Sequence, residues 1–172
     1  MKKITLNLNG ESRTVAVAPH EILLDVLRDK LGMKSPKVGC ERGDCGACTI
    51  LLDGQPVRSC LILAIEVDGQ TITTLEGIGR NGPTPLQESL IRHNAFQCGF
   101  CAPGITLAAT ALLDRHPKPT AHEVKEAISG NLCRCTGYEA IIEAVVKAGQ
   151  MPAPRKKKRM ATTRSRTLNN EH

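Results

Sequence analysis

Residues 39–48 have the sequence GCERGDCGAC, which places three cysteines and three glycines within one short loop. Cys40, Cys45 and Cys48 of this loop, together with Cys60, give the spacing C-x4-C-x2-C-x11-C. The other four cysteines have the spacing C-x2-C-x31-C-x-C and are Cys98, Cys101, Cys133 and Cys135. Eight cysteines in a chain expected to be cytoplasmic are more typical of metal binding than of a disulfide framework. The cysteines therefore predict two sites of four thiols each.

The first group of four cysteines has the spacing of plant-type [2Fe-2S] sites. Three thiolates from one short loop can converge only if the chain bends tightly, and glycine tolerates the positive φ angles of such bends. We therefore expect Gly39, Gly43 and Gly46 to shape the loop and to let backbone N–H groups reach the sulfurs. A structural zinc site is the alternative, although zinc ribbons favour two C-x2-C knuckles.

The second group of cysteines is less specific. C-x2-C followed by C-x-C fits a [2Fe-2S] cluster, a zinc ion or a redox-active dithiol. Glycines again lie beside the thiols, with Gly99 inside the first pair and Gly130 and Gly137 on either side of the second. The glycines favour a cluster, but the spacing alone leaves all three possibilities open.

The composition of the 172-residue chain excludes several classes of protein. Hydrophobic residues make up 41% of it, which is enough for a packed core. One Tyr, two Phe and no Trp are too few rings for a platform that stacks single-stranded nucleic acid, so nucleic acid is not an expected partner. No apolar run approaches the ~18 residues of a membrane span, and the first residues lack an apolar signal region. We therefore expect a cytoplasmic protein.

The formal charge of +6 is confined to one end of the chain. Residues 151–172 contain seven Lys and Arg against one Glu, so residues 1–150 are formally neutral. This segment has two prolines near its start and no apolar periodicity, which predicts a disordered basic tail. We expect a solubilising tail, and electrostatic docking to nucleic acid or to an acidic subunit is the alternative.

Residues 1–76 are expected to form a β-grasp domain. Alternating apolar residues on both sides of Asn9-Gly10 predict a hairpin, and the apolar stripe that follows predicts a helix ended by Gly32. Two further hairpins are expected, one at Asp53-Gly54 and one that pairs Glu66-Val67 with Thr71–Thr73 across Asp68-Gly69.

Residues 77–84 are rich in turn formers and are predicted to be a linker, and residues 85–150 carry helical patterns. The predicted helices are 86–94, 105–115, a run from Ala121, and 139–148. Thr120 and Glu123 form a capping box, and Gly149 is expected to end the last helix. Both later cysteine pairs therefore lie near helix ends, where they can converge.

In combination, the cysteine motifs resemble a known family. The motifs are GCERGDCGACTILLDG at 39–54 with Ser59-Cys60, QCGFCAPG at 97–104, and GNLCRCTGY at 130–138. Together they resemble the small iron-sulfur subunit of the molybdenum hydroxylases, the family of xanthine dehydrogenase, aldehyde oxidase and aerobic carbon monoxide dehydrogenase. The resemblance covers about residues 1–150. It implies an α+β chain, with an N-terminal β-grasp plant-type [2Fe-2S] ferredoxin domain followed by a C-terminal four-helix [2Fe-2S] domain.

The resemblance also implies a role for each cysteine. The cluster distal to molybdenum would be bound by Cys40, Cys45, Cys48 and Cys60, and the proximal cluster by Cys98, Cys101, Cys133 and Cys135. Gln97 and Cys135 would contact the molybdopterin. No catalytic residue is implied on this chain, because the molybdenum site would lie on a partner subunit.

The function implied by the resemblance is electron transfer within a multi-subunit oxidoreductase. Single electrons would pass from molybdenum, on a large molybdopterin-binding subunit, through both clusters towards FAD on a medium subunit. A molybdopterin cytosine dinucleotide and a dimer of heterotrimers are also implied. The alternatives are a free-standing two-cluster ferredoxin that diffuses between partners, and a zinc-stabilised adaptor.

Overall fold

The computed structural model describes residues 1–151 of the chain. Five strands and two short α-helices come first, and four longer helices follow from residue 85. This arrangement confirms the predicted α+β class. The tail predicted for residues 151–172 lies, beyond Met151, outside the described residues.

The five strands form one mixed sheet in the order β2-β1-β5-β3-β4. Strands β1 (Lys2–Leu8) and β2 (Glu11–Val17) are antiparallel, in a register that pairs the first residue of β1 with the last of β2. Strand β5 (Thr71–Thr73) is parallel to β1 and antiparallel to β3 (Thr49–Leu52), and β3 pairs with β4 (Gln55–Arg58). The pair β3 and β4, which lies between Cys48 and Cys60 in the sequence, therefore forms one edge of the sheet.

Two of the predicted hairpins are confirmed. Asn9 and Gly10 have φ angles of 54° and 83°, and Asp53 and Gly54 have 47° and 81°, which are the positive values that a type I′ turn needs. The short polar Asn and Asp side chains tolerate this left-handed conformation. The Asp53-Gly54 turn lies at the end of the β3–β4 pair opposite Cys48 and Cys60.

The third predicted hairpin is wrong. Glu66 and Val67 lie in a 3-10 turn, Ala64–Val67, and β5 pairs with other strands. The Asp68-Gly69 turn instead binds β1, because the Thr5 N–H donates to the Asp68 carboxylate at 2.9 Å and the Gly69 N–H donates to the Thr5 carbonyl at 2.8 Å. A contact between distant segments thus overrides the local turn signal.

The predicted helix after β2 is present, with a change of pitch. Helix α1 (Leu23–Asp25) continues as a π-helical turn, Val26–Lys30, in which the Leu31 N–H donates to the Val26 carbonyl at 3.0 Å. The stripe packs on the sheet, with Leu23 and Leu27 fully buried. Gly32 follows with a φ of 73°, as expected of a helix end.

A short helix, α2 (Leu75–Ile78), extends into the segment predicted to be a linker. The four longer helices that follow are α3 (Pro85–Arg92), α4 (Ala102–Arg115), α5 (Ala121–Ile128) and α6 (Glu139–Gln150). Helix α4 is almost wholly buried, because it packs on the other helices and also on β3, where Leu107 contacts Leu51. This packing joins the helical part to the sheet. The domain boundaries at 77–84 stay a prediction.

The helix ends agree with the sequence at one site and differ at another. The capping box is confirmed, since the Glu123 N–H donates to Thr120 Oγ1 at 3.3 Å and the Thr120 N–H donates to the Glu123 carboxylate at 2.7 Å. The prediction that Gly149 ends the last helix is wrong, because α6 continues to Gln150. A Cβ at Gly149 would lie 2.5 Å from the Pro117 carbonyl oxygen, so glycine allows α6 to approach the α4–α5 loop.

In the part of the chain that the structure describes, no helix has both the length and the apolar character needed to cross a membrane.

Two thiol sets as the candidate functional site

The first four cysteines meet beside β3 and β4. Cys48 directly precedes β3 and Cys60 closely follows β4, and since these strands are antiparallel, both cysteines lie at the same end of the pair. Their Sγ atoms are 3.3 Å apart. The thiols of Cys40 and Cys45 are also neighbours, and the Cys45 N–H donates to Cys40 Sγ at 3.4 Å. We call these four residues the inner thiol set.

Backbone N–H groups surround the sulfur atoms of the inner thiol set, as the sequence predicted. N–H donation from Arg42, and then from Cys45, lowers the pKa of the Cys40 thiol to about 6. Burial, followed by the adjacent Cys48 thiol, raises the pKa of Cys60 to about 11. The loop therefore stabilises the thiolate form of Cys40. The buried Cys60 thiol, in contrast, needs a bound cation to lose its proton.

The glycines of the loop have two different roles. Gly43 and Gly46 have φ angles of 89° and 71°, as predicted. Gly39 does not have a positive φ, so this part of the prediction is wrong. A Cβ at Gly39 would lie 2.8 Å from Cys45 Sγ, and the absence of a side chain there gives room for the thiol.

The other four cysteines meet at the ends of helices. Cys98 and Cys101 immediately precede α4, and Cys133 and Cys135 lie in the loop between α5 and α6. The Sγ atoms of Cys98 and Cys135 are 3.5 Å apart, and the Cys101 thiol contacts Cys133. Burial, with the adjacent Cys133, raises the pKa of Cys101 to about 12. We call these four residues the outer thiol set.

Two residues that the sequence analysis did not identify support the outer thiol set. The Thr136 hydroxyl donates to Cys133 Sγ at 3.1 Å. The Tyr138 hydroxyl accepts the Cys133 N–H at 2.6 Å and donates to the Asn131 carbonyl at 3.2 Å. Tyr138 is the one tyrosine of the chain, and it holds a positive φ of 68°. The sequence places Tyr138 three residues after Cys135, but this spacing alone does not show that the tyrosine hydroxyl contacts the backbone at Cys133.

In both sets the thiols approach one another two by two. Among residues 1–151, no three His, Cys, Asp or Glu side chains are grouped as a single metal ion would require. Two thiolates on one tetrahedral metal atom with bonds of about 2.3 Å lie about 3.8 Å apart, which is close to the 3.3 Å and 3.5 Å of the pairs. This geometry fits two metal atoms, each held by two thiolates, better than one ion held by four.

The two thiol sets differ in exposure. Cys48 and Cys60 of the inner set are only 2% and 6% exposed. In the outer set, Cys98 and Cys135 are exposed, and so is Gln97, which makes no side-chain hydrogen bond within residues 1–151. Two exposed apolar side chains lie beside them, Phe100 and Leu132. A partner can therefore reach the outer set directly.

A partly buried network, which we call the junction, connects the two thiol sets. The Leu132 N–H donates to the Cys45 carbonyl at 2.9 Å. The Asn131 side chain donates to the Gly46 carbonyl and to Thr49 Oγ1, both at 3.0 Å. Arg58 donates to the Gly130 carbonyl at 2.6 Å and to Thr49 Oγ1 at 2.9 Å. The junction comprises Cys45, Gly46, Thr49, Arg58 and residues 130–132.

Two family models match the chain. A "2Fe-2S iron-sulfur cluster binding domain" matches residues 6–77, and a "[2Fe-2S] binding domain" matches residues 74–146. The first match contains the whole inner thiol set, and the second contains the whole outer thiol set.

Similar proteins of known name include two small subunits. The nicotine 6-hydroxylase small subunit of Paenarthrobacter nicotinovorans is 53% identical, over 85% of this chain and 88% of the relative. The nicotinate dehydrogenase small FeS subunit of Eubacterium barkeri is 51% identical, over 84% of this chain and 94% of the relative.

Solved structures of two oxidoreductases contain regions that are similar to this chain. Quinoline 2-oxidoreductase from Pseudomonas putida 86 includes a chain with a TM-score of 0.84 and 45% identity, covering 87% of this chain and 94% of that one. The aldehyde oxidoreductase from Desulfovibrio desulfuricans also has a TM-score of 0.84, with 46% identity, and the match covers 87% of this chain but 17% of that longer chain.

Proposed function

The chain belongs to the iron-sulfur subunits of the molybdenum hydroxylase family, and we propose that its two thiol sets are the ligands of the two [2Fe-2S] clusters of such a subunit. The observation that carries this proposal is the arrangement of eight thiols in two separate sets, each divided into two close pairs. No cysteine remains outside these sets.

The pairs of thiols indicate how each cluster is held. In the inner set, Cys40 and Cys45 would bind one iron and Cys48 and Cys60 the other. In the outer set, the pairs would be Cys98 with Cys135 and Cys101 with Cys133. One-electron transfer is the chemistry that these clusters supply when bound. The protein contributes burial, N–H donors to sulfur and a fixed separation of the two sets.

The exposure of the outer set supports the direction of electron transfer. Electrons would enter at Cys98 and Cys135, where Gln97 and Cys135 are free to contact the molybdopterin of a large partner subunit. They would leave from the inner set towards FAD on a medium subunit. Leu61, which is 61% exposed and lies against Gly43 of the inner loop, offers an apolar contact on that side.

The junction supports transfer between the sets within this chain. The hydrogen bond from the Leu132 N–H to the Cys45 carbonyl joins a ligand residue of the inner set to the neighbour of Cys133 in the outer set. One hydrogen bond and a few covalent bonds therefore connect Cys45 to Cys133, which would each bind a different cluster. A diffusing ferredoxin is not supported, because the relatives of this chain are named as subunits of larger enzymes.

Several finer features stay predictions of the family resemblance. They are the cytosine dinucleotide form of molybdopterin, the separate FAD subunit, the dimer of heterotrimers and the cytoplasmic location. The substrate is bound on another chain, so this sequence does not determine it. Three of the relatives above are named for nicotine, nicotinate and quinoline, which makes nitrogen heterocycles the first substrate class to assay.

Purification of the affinity-tagged chain with its partners from its native host tests the proposed function. We expect about four iron atoms with acid-labile sulfide per chain, and two distinct EPR signals after reduction. Mass spectrometry should identify a molybdopterin-binding subunit among the co-purified proteins. Colourless protein that contains zinc in place of iron would contradict the proposal.

Replacing Gln97 with alanine tests the proposed contact with the partner. Both EPR signals should remain, because the Gln97 side chain makes no hydrogen bond to a thiol within residues 1–151. Reduction of the clusters by substrate should slow by about tenfold, the effect of about 1.4 kcal/mol. Rapid-mixing absorbance of the complex measures this rate. Gln55→Ala, at an exposed glutamine beside the β3–β4 turn, is the matched control and should leave the rate unchanged. Equal rates in both variants would argue against the role of Gln97.

A further inference from the structure

Arg58 places a positive charge in the junction, and no carboxylate of residues 1–151 is paired with it. Its two terminal nitrogens donate to uncharged acceptors, Thr49 Oγ1 at 2.9 Å and the Gly130 carbonyl at 2.6 Å. Its Nε is buried and has no hydrogen-bond partner in the part of the chain that the structure describes. None of the ion pairs formed within residues 1–151 includes Arg58.

The position of Arg58 relates it to both thiol sets. It lies two residues before Cys60, and it donates to Thr49, the neighbour of Cys48, in the inner set. It also donates to Gly130, three residues before Cys133 of the outer set. A Cβ at Gly130 would overlap the guanidinium, so the two sides of the junction close tightly around the charge.

A partly buried guanidinium needs a compensating negative charge. Arginine stays protonated in proteins, and a partly buried cation that only neutral groups contact is costly. Around the junction, the groups that become strongly negative are the two thiol sets, once their thiols are deprotonated and hold a cluster. Each set with its cluster is formally about −2 when oxidised, from two Fe³⁺, two sulfides and four thiolates.

We propose that Arg58 is a positioning residue that acts as the shared counter-charge of the two clusters and raises the reduction potential of both. This inference rests on the proposed function, because it requires both clusters. One-electron reduction takes the formal charge of a cluster from about −2 to about −3, and the electron comes from the partner's molybdenum site. A fixed positive charge in a low-dielectric junction stabilises the more negative, reduced form. Removing the charge should therefore lower both potentials.

The test is an EPR-monitored redox titration of the tagged complex that carries Arg58→Gln. Glutamine keeps one hydrogen-bond donor but removes the charge, and we expect both midpoint potentials to become more negative. Arg58→Lys keeps the charge, so its potentials should stay near those of the unmodified protein. Arg13→Gln is the matched control, because Arg13 is an exposed, ion-paired arginine on β2, and its loss should not move either potential.

The outcomes separate this inference from the proposed function. Absence of both clusters in the unmodified complex would overturn the proposed function itself. Two intact clusters with unchanged potentials in Arg58→Gln would overturn the role of Arg58 alone. If Arg58→Gln does not assemble, Arg58→Lys decides: unchanged potentials support the counter-charge, and potentials that fall although the charge is retained contradict it.

Discussion

Replacing Cys98 with serine is expected to remove one of the two EPR signals and to stop electron transfer from substrate to the final acceptor. Cys98 is paired with Cys135 at the exposed edge of the outer set, and a serine hydroxyl is a much poorer ligand than a thiolate. The inner set shares no thiol with the outer set. The two sets are connected by backbone and side-chain hydrogen bonds of the residues around them. The second EPR signal should therefore remain.

Cys40→Ser is the reciprocal control for this experiment. It should remove the other EPR signal, leave the outer cluster in place and still allow substrate to reduce that cluster once. Activity with the final acceptor should fall to background in both variants, because both sets lie on the route of electron transfer. EPR of the dithionite-reduced complexes and steady-state assays measure the two effects. Loss of both signals with retained activity would contradict the assignment.

The parts of the fold that the sequence predicted depend on local chemistry. The type I′ turns at Asn9-Gly10 and Asp53-Gly54 and the capping box at Thr120 each need only a few neighbouring residues, and all three are present. The cysteine spacing belongs to the same class, because the bends of the loop are determined within residues 39–48. Short-range signals of this kind survive in the folded chain.

Two of the wrong predictions share a different cause. The Asp68-Gly69 turn binds Thr5, from which it is separated by more than sixty residues, and Gly149 accommodates Pro117 on another loop. In both cases the residue type is correct for a local turn or helix end, but a partner elsewhere in the chain determines its role. A single sequence contains no record of that partner.

The same reason explains why the junction was not predicted. Arg58 and Gly130 are 72 positions apart, and Asn131 and Gly46 are 85 apart, so no motif joins them. Their positions follow from the packing of α4 on β3, which brings Gly104 so close that a Cβ there would overlap the Gly46 carbonyl. Cysteine spacing predicts each set by itself, whereas only the folded chain shows how the sets are held together.

Gly46→Ala is expected to be the most destabilising single-methyl change in the junction. Gly46 has a φ of 71°, and a Cβ there would overlap the Gly130 carbonyl and lie 2.6 Å from the Asn131 side-chain nitrogen. The left-handed conformation costs alanine roughly 1–2 kcal/mol. Separation of the junction would add about 1 kcal/mol for each hydrogen bond lost, including those of Asn131 and Leu132. A total of about 4 kcal/mol is a large part of the stability of a typical domain.

Gly54→Ala isolates the cost of the backbone conformation. Gly54 has a φ of 81°, but a Cβ there would meet no atom of residues 1–151 within 4 Å, so this variant should lose only the conformational part. The temperature at which visible cluster absorbance is lost on heating measures both variants. Gly46→Ala should lose its absorbance at a much lower temperature than Gly54→Ala and should be purified with less iron. If the two variants lost their absorbance at the same temperature and held the same amount of iron, the close packing at Gly46 would not contribute to holding the two thiol sets together.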